Sequence, residues 1–443
     1  MRLSHNPQRC LFESDFSKHI FAHRLRDLSS LLDLHPHLIT MTHQDLTRVQ
    51  CQATGRNGLS AENLLRALIL KQSLGFSYEQ LAFHLSDSAC YRSFVRLNFD
   101  QYPSRSALQA GIRQIRAETM QAMALQLVQQ WHHDKVIDFS QLRIDSTVVK
   151  SNIAAPSDSQ MLADGIRVLS RHLAKLKHSF GVTFRFWDQR KKSKSLAFRI
   201  FNAKKAEKEK LYPELLHLAS VVEQQAQRGL ELMELVPDAE TWVDTVNHYR
   251  CLLNRVIDQT TRRVIYGEKV PSSEKLVSLF EPHTDVIVKG FRDIQYGHKI
   301  NLATDLSGFI TYCQIEDGNP SDSSLYQPVV KAHLNAFGQL PGRTVADGGY
   351  ASRENVEQAR NLGVKGVAFS KRVGLKLSEM GLKQKTFDKL KKFRAGIEGN
   401  ISELKRAFGV GKVTWKQKDG FDAYVWASIL SYNLMRRIRL ASG

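Results

Sequence analysis

The sequence has few cysteines, and none is paired in a CxxC. Cys10, Cys51, Cys90, Cys251 and Cys313 lie scattered, which predicts a reducing compartment and no zinc site. No stretch approaches the roughly 18 apolar residues of a membrane helix. A signal-peptide pattern is also missing, because the first ten residues are polar and no apolar run follows them. There is no internal repeat and no low-complexity tract. These absences predict a cytoplasmic protein without a membrane partner. Histidine is plentiful near the start, but His5, His19, His23, His35, His37 and His43 fit no metal-ligand spacing, so surface and core roles are expected.

Acid is the other shortage. The 443 residues carry 44 Asp and Glu against 63 Lys and Arg, a net charge of +19. The excess is local. Residues 167–210 hold 14 basic and 3 acidic side chains, and residues 371–418 hold 14 and 4, which leaves the rest near neutral. A single lysine run is usually a solvated face. Two long segments that hold the whole excess point to a polyanion, most simply nucleic acid. Neither pairs its cations with a clean apolar face, which argues against a membrane surface. With 42% apolar residues, the chain can bury two or three real cores.

Taken in order, residues 1–50 show little periodicity. Residues 59–119 read as helices. Ser60 caps a run over 61–74 that ends at Gly75, a second run covers 78–85, and Ser104 or Ser106 starts a long helix towards Gln130. Short helix, turn and longer helix, with Arg105, Arg113 and Arg116, resemble a helix-turn-helix DNA reader. Alternation over 136–149 predicts a strand. Helical periodicity returns over 162–235, with Arg190, Lys191, Lys192, Lys204 and Lys205 among Phe184, Phe186 and Trp187. Strands resume near Asp285, and runs over 298–304 and 309–316 are joined by Asp305-Leu306-Ser307-Gly308, a hairpin signal. A helix from Ser321 or Asp322 to Phe337 follows, then a strand over 343–346, a helix capped by Ser352, and a strand over 364–369. Ile397, Ile401, Leu404 and Phe408 mark a helix from Ile397 to a stop at Gly409, and a last helix covers 421–439.

Three acids stand where they can converge. Asp145 interrupts the first strand, Asp347 follows the strand over 343–346, and Glu398 lies on the late helix. Strand C-terminal ends line the functional crevice of open α/β sheets. Three carboxylates there suit two Mg²⁺ ions, with Mn²⁺ as a substitute. Two such ions about 3.5–4 Å apart activate an attacking hydroxyl and stabilise the leaving oxygen of a phosphodiester. Each acid also has a plainer reading: Asp145 bonding turn amides, Asp347-Gly348 as an ordinary turn, and Glu398 paired with Arg394 one turn away. Glu403, about 140° around the helix from Glu398, ranks second as the third acid.

These residues carry a family resemblance. The sequence resembles the DDE transposases of bacterial insertion sequences, which have an RNase-H-like core. Arg143-Ile144-Asp145-Ser146-Thr147 is similar to the family's first-strand motif, and Ala346-Asp347-Gly348-Gly349-Tyr350 to its fourth-strand motif. Arg394, Glu398 and Lys405 match the spacing of Arg, three residues, Glu, six residues, Lys. Tyr296-Gly297-His298-Lys299 and Gly318-Asn319-Pro320-Ser321-Asp322 look like its second and third strands. Some branches carry a Tyr where this chain has Lys391, so the hairpin route those branches use is not implied.

The resemblance implies an α/β fold: an RNase-H-like mixed sheet of about five strands, with a largely helical insertion and an all-α N-terminal domain. The expected divisions are a DNA-binding region over 1–130, core segments over 131–160 and 291–443, and a basic insertion over 161–290. Asp145, Asp347 and Glu398 are the expected catalytic and metal-holding residues. Arg394, Lys405, Arg406, Lys191, Lys192, Arg105 and Arg113 are the expected DNA contacts. The implied partners are double-stranded DNA, as terminal repeats and target, and a second copy of the chain on that DNA, near the nucleoid. Two other readings share these features: a transposase relic that only binds DNA, and a metal-dependent nuclease without strand transfer.

Overall fold

The computed structural model describes residues 3–5, 19–48, 58–234, 236–289 and 293–441. Helices α1 (Ile20–Asp33), α2 (His37–Thr47), α3 (Ala61–Leu74), α4 (Tyr78–Asp87), α5 (Ala89–Val95), α6 (Arg105–Ile112) and α7 (Ala117–His133) lead to strand β1 (Gln141–Lys150). Next come α8 (Asp158–Phe180), α9 (Arg190–Asn202), α10 (Lys205–Met233) and α11 (Glu240–Thr260). Strands β2 (Asp285–Lys289), β3 (Asp293–Thr304) and β4 (Ile310–Ile315) precede α12 (Tyr326–Phe337) and β5 (Arg343–Ala346). The chain closes with α13 (Arg353–Leu362), β6 (Gly366–Phe369), α14 (Gln384–Ala407) and α15 (Lys418–Ala441). No helix among the described residues is long and apolar enough to cross a membrane.

The strands form one six-stranded mixed sheet of order β2-β3-β1-β5-β6, with β4 also on β3. Strands β2 and β4 pair antiparallel with successive halves of β3. Strand β5 runs parallel to β1, and β6 parallel to β5. This is the mixed α/β class expected. The additional strand is β2, at Asp285 where strands were expected to resume, and it pairs with the start of a β3 that begins earlier than its apolar residues indicate.

Residues 151–297 make one compact unit, and residues 1–150 with 298–443 make another. The first packs α8, α10 and α11 around Leu162, Leu169, Val222, Val246 and Leu253. The second has two cores. One joins α3, α7 and α15 to Ile300, Leu302 and Ile310 of the sheet. The other packs Leu142, Ile144, Val345 and Val367 against α12 and α13. The N-terminal helices therefore share a core with the sheet. The link is α15, which buries side chains around its whole circumference.

Two helices differ from their sequence pattern. The long helix expected from Ser104 towards Gln130 is broken between α6 and α7. The buried Asp45 carboxylate accepts both the Arg116 N–H, at 2.8 Å, and its Nε, at 2.7 Å. A continuous helix would have donated that N–H to its own preceding turn. The reverse holds for α14, which starts at Gln384 rather than Ile397. Phe387 and Leu390 continue its buried stripe, but the four lysines and one glycine over 384–396 hide it in the sequence.

α14 is held to β1 by Arg143. This side chain is 7% exposed. Its Nε donates to Thr304 Oγ1 at 2.7 Å, Nη1 to the Phe393 carbonyl at 3.2 Å, and Nη2 to Asn400 Oδ1 at 2.7 Å. The guanidinium also lies 4.7 Å from the Phe393 ring centroid. The approach is possible because residue 396 is glycine: a Cβ there would fall 2.0 Å from Arg143 Nη1. At Gly399, on the same helix, a Cβ would meet nothing within 4 Å. The two glycines should therefore respond oppositely to alanine. Gly399→Ala should gain about 0.4–1 kcal/mol from helix propensity. Gly396→Ala should lose about 1–3 kcal/mol by displacing charged hydrogen bonds. Chemical denaturation of the two full-length variants measures both signs, and a gain at Gly396 would refute the clamp.

Candidate functional site

Strand register builds the site. Ile144 pairs beside Ala346, and Ala346 beside Phe369. The next residues on the three parallel strands are Asp145, Asp347 and Ser370. They are neighbours across strands about 4.8 Å apart, at the point where β5 and β6 end. The Ser146 N–H donates to Asp145 Oδ1 at 2.8 Å. Ser370 Oγ donates to Asp347 Oδ1 at 2.6 Å and accepts the Gly348 N–H at 3.0 Å.

Glu398 comes from α14, and Arg394 one turn earlier ties it to the aspartates. Arg394 Nη1 donates to Glu398 Oε1 at 3.0 Å. Its Nη2 donates to Asp145 Oδ2 at 3.2 Å and lies 3.7 Å from Asp347 Oδ1. One guanidinium thus touches all three acids. The burial is graded: the side chains of Asp145 and Arg394 are 16% and 17% exposed, those of Asp347 and Glu398 46% and 65%. Solvent and any ligand therefore approach from the Asp347 and Glu398 side. Arg394 Nε is buried with no hydrogen-bond partner.

The two aspartates titrate in opposite directions. Burial pushes Asp145 up, and the Arg394 charge and Ser146 N–H only partly offset it, while Asp347 and Asp322 add to the rise. Burial would also raise Asp347, but the Ser370 hydroxyl, the Gly348 N–H, Arg394 and Lys371 outweigh it and hold it below the usual carboxylate value. Among the described residues, no three His, Cys, Asp or Glu side chains are gathered closely enough to hold a metal ion. The cation between these acids is the guanidinium.

Other expected residues lie apart. Glu403 pairs with Arg439 of α15, so the competing third acid is engaged on another face of the helix. Lys405 is half-buried and Arg406 exposed at the end of α14. Arg105 sits 3.8 Å from Glu79, both largely exposed, and Arg113 donates to the Lys416 carbonyl at 3.3 Å. In the unit over 151–297, Lys191 is exposed and Lys192 pairs with Glu214 at 2.9 Å. Lys191 lines a cleft of about 910 Å³ with Arg167, Arg171, Arg190 and Lys194.

Sequence reasoning missed Ser370, Lys299 and Asp322 as parts of this site. Ser370 directly follows a recognised strand, which was signal enough. Asp322 Oδ1 accepts Ser146 Oγ at 3.0 Å and Lys299 Nζ at 3.2 Å. It was read as a helix start and as the last residue of a motif like the family's third strand, and it opens a 3-10 turn over Asp322–Leu325.

Two family models match the chain. A transposase DDE domain covers residues 292–434, which include Asp347, Arg394, Glu398 and Lys405. A transposase domain (DUF772) covers residues 14–111. Asp145 lies outside both. No curated protein and no solved structure matches the chain. The DDE domain implies an RNase-H-like core, which accords with the mixed sheet, and a DNA-binding enzyme that cleaves nucleic acid with divalent metal. The two domain matches together support an insertion-sequence DDE transposase.

Proposed function

We propose that the chain cuts DNA at the ends of its own mobile element and joins the freed 3′ ends to target DNA, using Asp145, Asp347 and Glu398. The observation that carries this reading is the meeting of three acids from β1, β5 and α14 at one guanidinium. The donor set fits hard divalent cations: all oxygen, all carboxylate, and already neutralised by a positive group. Mg²⁺, or Mn²⁺ in its place, would supply an activated hydroxyl and a stabilised leaving oxygen when bound.

The chain's own residues do the positioning. The Ser146 N–H and Ser370 hydroxyl fix Oδ1 of Asp145 and of Asp347, and Asp145 Oδ2 and Asp347 Oδ1 are the oxygens nearest Arg394. Glu398 is the most exposed acid and closes the site from α14. Arg394 keeps the acids together while no ion is present. Turned away from the acids, its guanidinium suits a DNA phosphate as a two-pronged fork. Lys405 and Arg406 extend the cationic surface along α14, and Arg105 and Arg113 give the N-terminal helices a DNA-facing charge. Lys191 and Lys192 would bind DNA from the unit over 151–297, most simply phosphates, given their exposure and charge. Two element ends must meet, so the active complex is a dimer on DNA.

Three outcomes are expected. DNA carrying the element ends, incubated with Mg²⁺, should be cut by the wild type, while Asp145→Asn, Asp347→Asn and Glu398→Gln should each lose at least about 100-fold in rate. End binding retained without cleavage in the wild type would instead favour a binding-only relic. Arg394→Gln should lower metal-free stability by about 1–3 kcal/mol and tighten Mn²⁺ binding, since the acids lose their internal competitor. Thermal melts with and without Mn²⁺ test this, and an unchanged metal response would refute it. Binding of end DNA should weaken steeply with salt, and a flat response would remove the charge argument.

A further inference from the structure

We infer that Asp322, paired with Lys299, is a positioning residue that clasps the two strand ends bearing Asp145 and Asp347. This rests on the reading that those aspartates take divalent ions. Asp145 and Ser146 point to opposite faces of β1. From one face, Arg394 holds Asp145. On the other, the Ser146 hydroxyl donates to Asp322 Oδ1 at 3.0 Å. Ser146 therefore spends its N–H on Asp145 and its O–H on Asp322, and it couples the two carboxylates through one residue. This is the place where β1 runs past the end of β5 and loses that neighbour's ladder.

The second grip is on the turn after Asp347. A Cβ on Gly349 would fall 2.9 Å from Asp322 Oδ2 and 3.4 Å from Asp322 Cβ. Glycine at 349 lets the carboxylate lie against the backbone of that turn. Lys299 fixes Asp322 in turn: its side chain is 8% exposed, and Nζ donates to Asp322 Oδ1 at 3.2 Å and to the Pro320 carbonyl at 2.6 Å. A buried lysine without its acid would be left uncompensated, so the pair is held firmly. Partners of this outer kind typically change metal affinity or activity about 10–100-fold when removed.

The test uses the full-length chain and Mn²⁺ as probe, titrated by electron paramagnetic resonance without DNA. Cleavage of end DNA is measured in parallel against Mg²⁺ concentration. Asp322→Asn, which keeps the shape, and Asp322→Ala should each weaken Mn²⁺ binding about 10-fold or more. They should raise the Mg²⁺ needed for half-maximal cleavage similarly, with end-DNA affinity unchanged. Ser146→Ala should act in the same direction and add nothing to Asp322→Ala. Gly349→Ala should also weaken Mn²⁺ binding alone, yet be harmless beside Asp322→Ala, because the clash is then gone. A purely structural role would lower stability and end binding while leaving the metal dependence alone, and that result overturns the inference. So does wild-type Mn²⁺ affinity in Asp322→Asn while Asp145→Asn has lost it. Wild-type Mn²⁺ affinity in Asp145→Asn as well would sink the three-acid reading itself.

Discussion

Three carboxylates cannot be brought to one place without a positive charge between them. Two unit charges about 4 Å apart repel by about 4 kcal/mol at an effective dielectric near 20. The guanidinium of Arg394 meets that requirement, reaching Asp145, Asp347 and Glu398 with its two terminal nitrogens. Its placement depends on α14 lying correctly across β1, and that depends on Arg143. Arg143 stands two residues before Asp145 on the same face of β1, and it binds the carbonyl of Phe393, the residue before Arg394. The strand that carries the first acid therefore sets the helix that carries the third.

The same economy appears at the strand ends. Asp145, Asp347 and Ser370 follow the last paired residues of parallel strands, so the ladder itself brings them side by side. The two aspartates differ because their surroundings differ. Asp145 is largely covered beside a single N–H and a guanidinium, and its pKa rises. Asp347 has the Ser370 hydroxyl and the Gly348 N–H, and its pKa falls. The better-solvated acid is the one held in its charged form by fixed donors.

Much of this was legible in the sequence, for a definite reason. The signals for β5, for the helix capped by Ser352 and for the start and stop of α3 are local: alternation, a capping hydroxyl, a glycine. All three appear where expected. Asp145, Asp347 and Glu398 were recognisable because a motif and a spacing survive in one dimension. The rest depended on distant partners. Asp45 breaks a helix that Arg116 would otherwise continue. Arg143 had a place in a motif, but its partners lie at Thr304, Phe393 and Asn400. The stripe of α14 was hidden by lysines whose charge is a surface property and says nothing about what lies beneath.

Arg394 is an expected DNA contact, and in this structure without DNA its guanidinium meets the acids. The two placements are linked rather than opposed. A guanidinium that neutralises three carboxylates competes with any divalent ion for them, and one that grips a phosphate has left them. If the acids take metal, metal and DNA each favour the arrangement in which Arg394 has turned away, so each helps the other bind. Coupling of that kind is reciprocal. Its strength is limited by how much Arg394 stabilises the metal-free acids, since a shared competitor can return no more than it holds. Glu398 is the acid most affected. The aspartates keep their backbone and serine donors when Arg394 leaves, whereas Glu398, on an exposed helix face, keeps none of the bonds described. It is thus the acid free to turn towards whatever replaces the guanidinium.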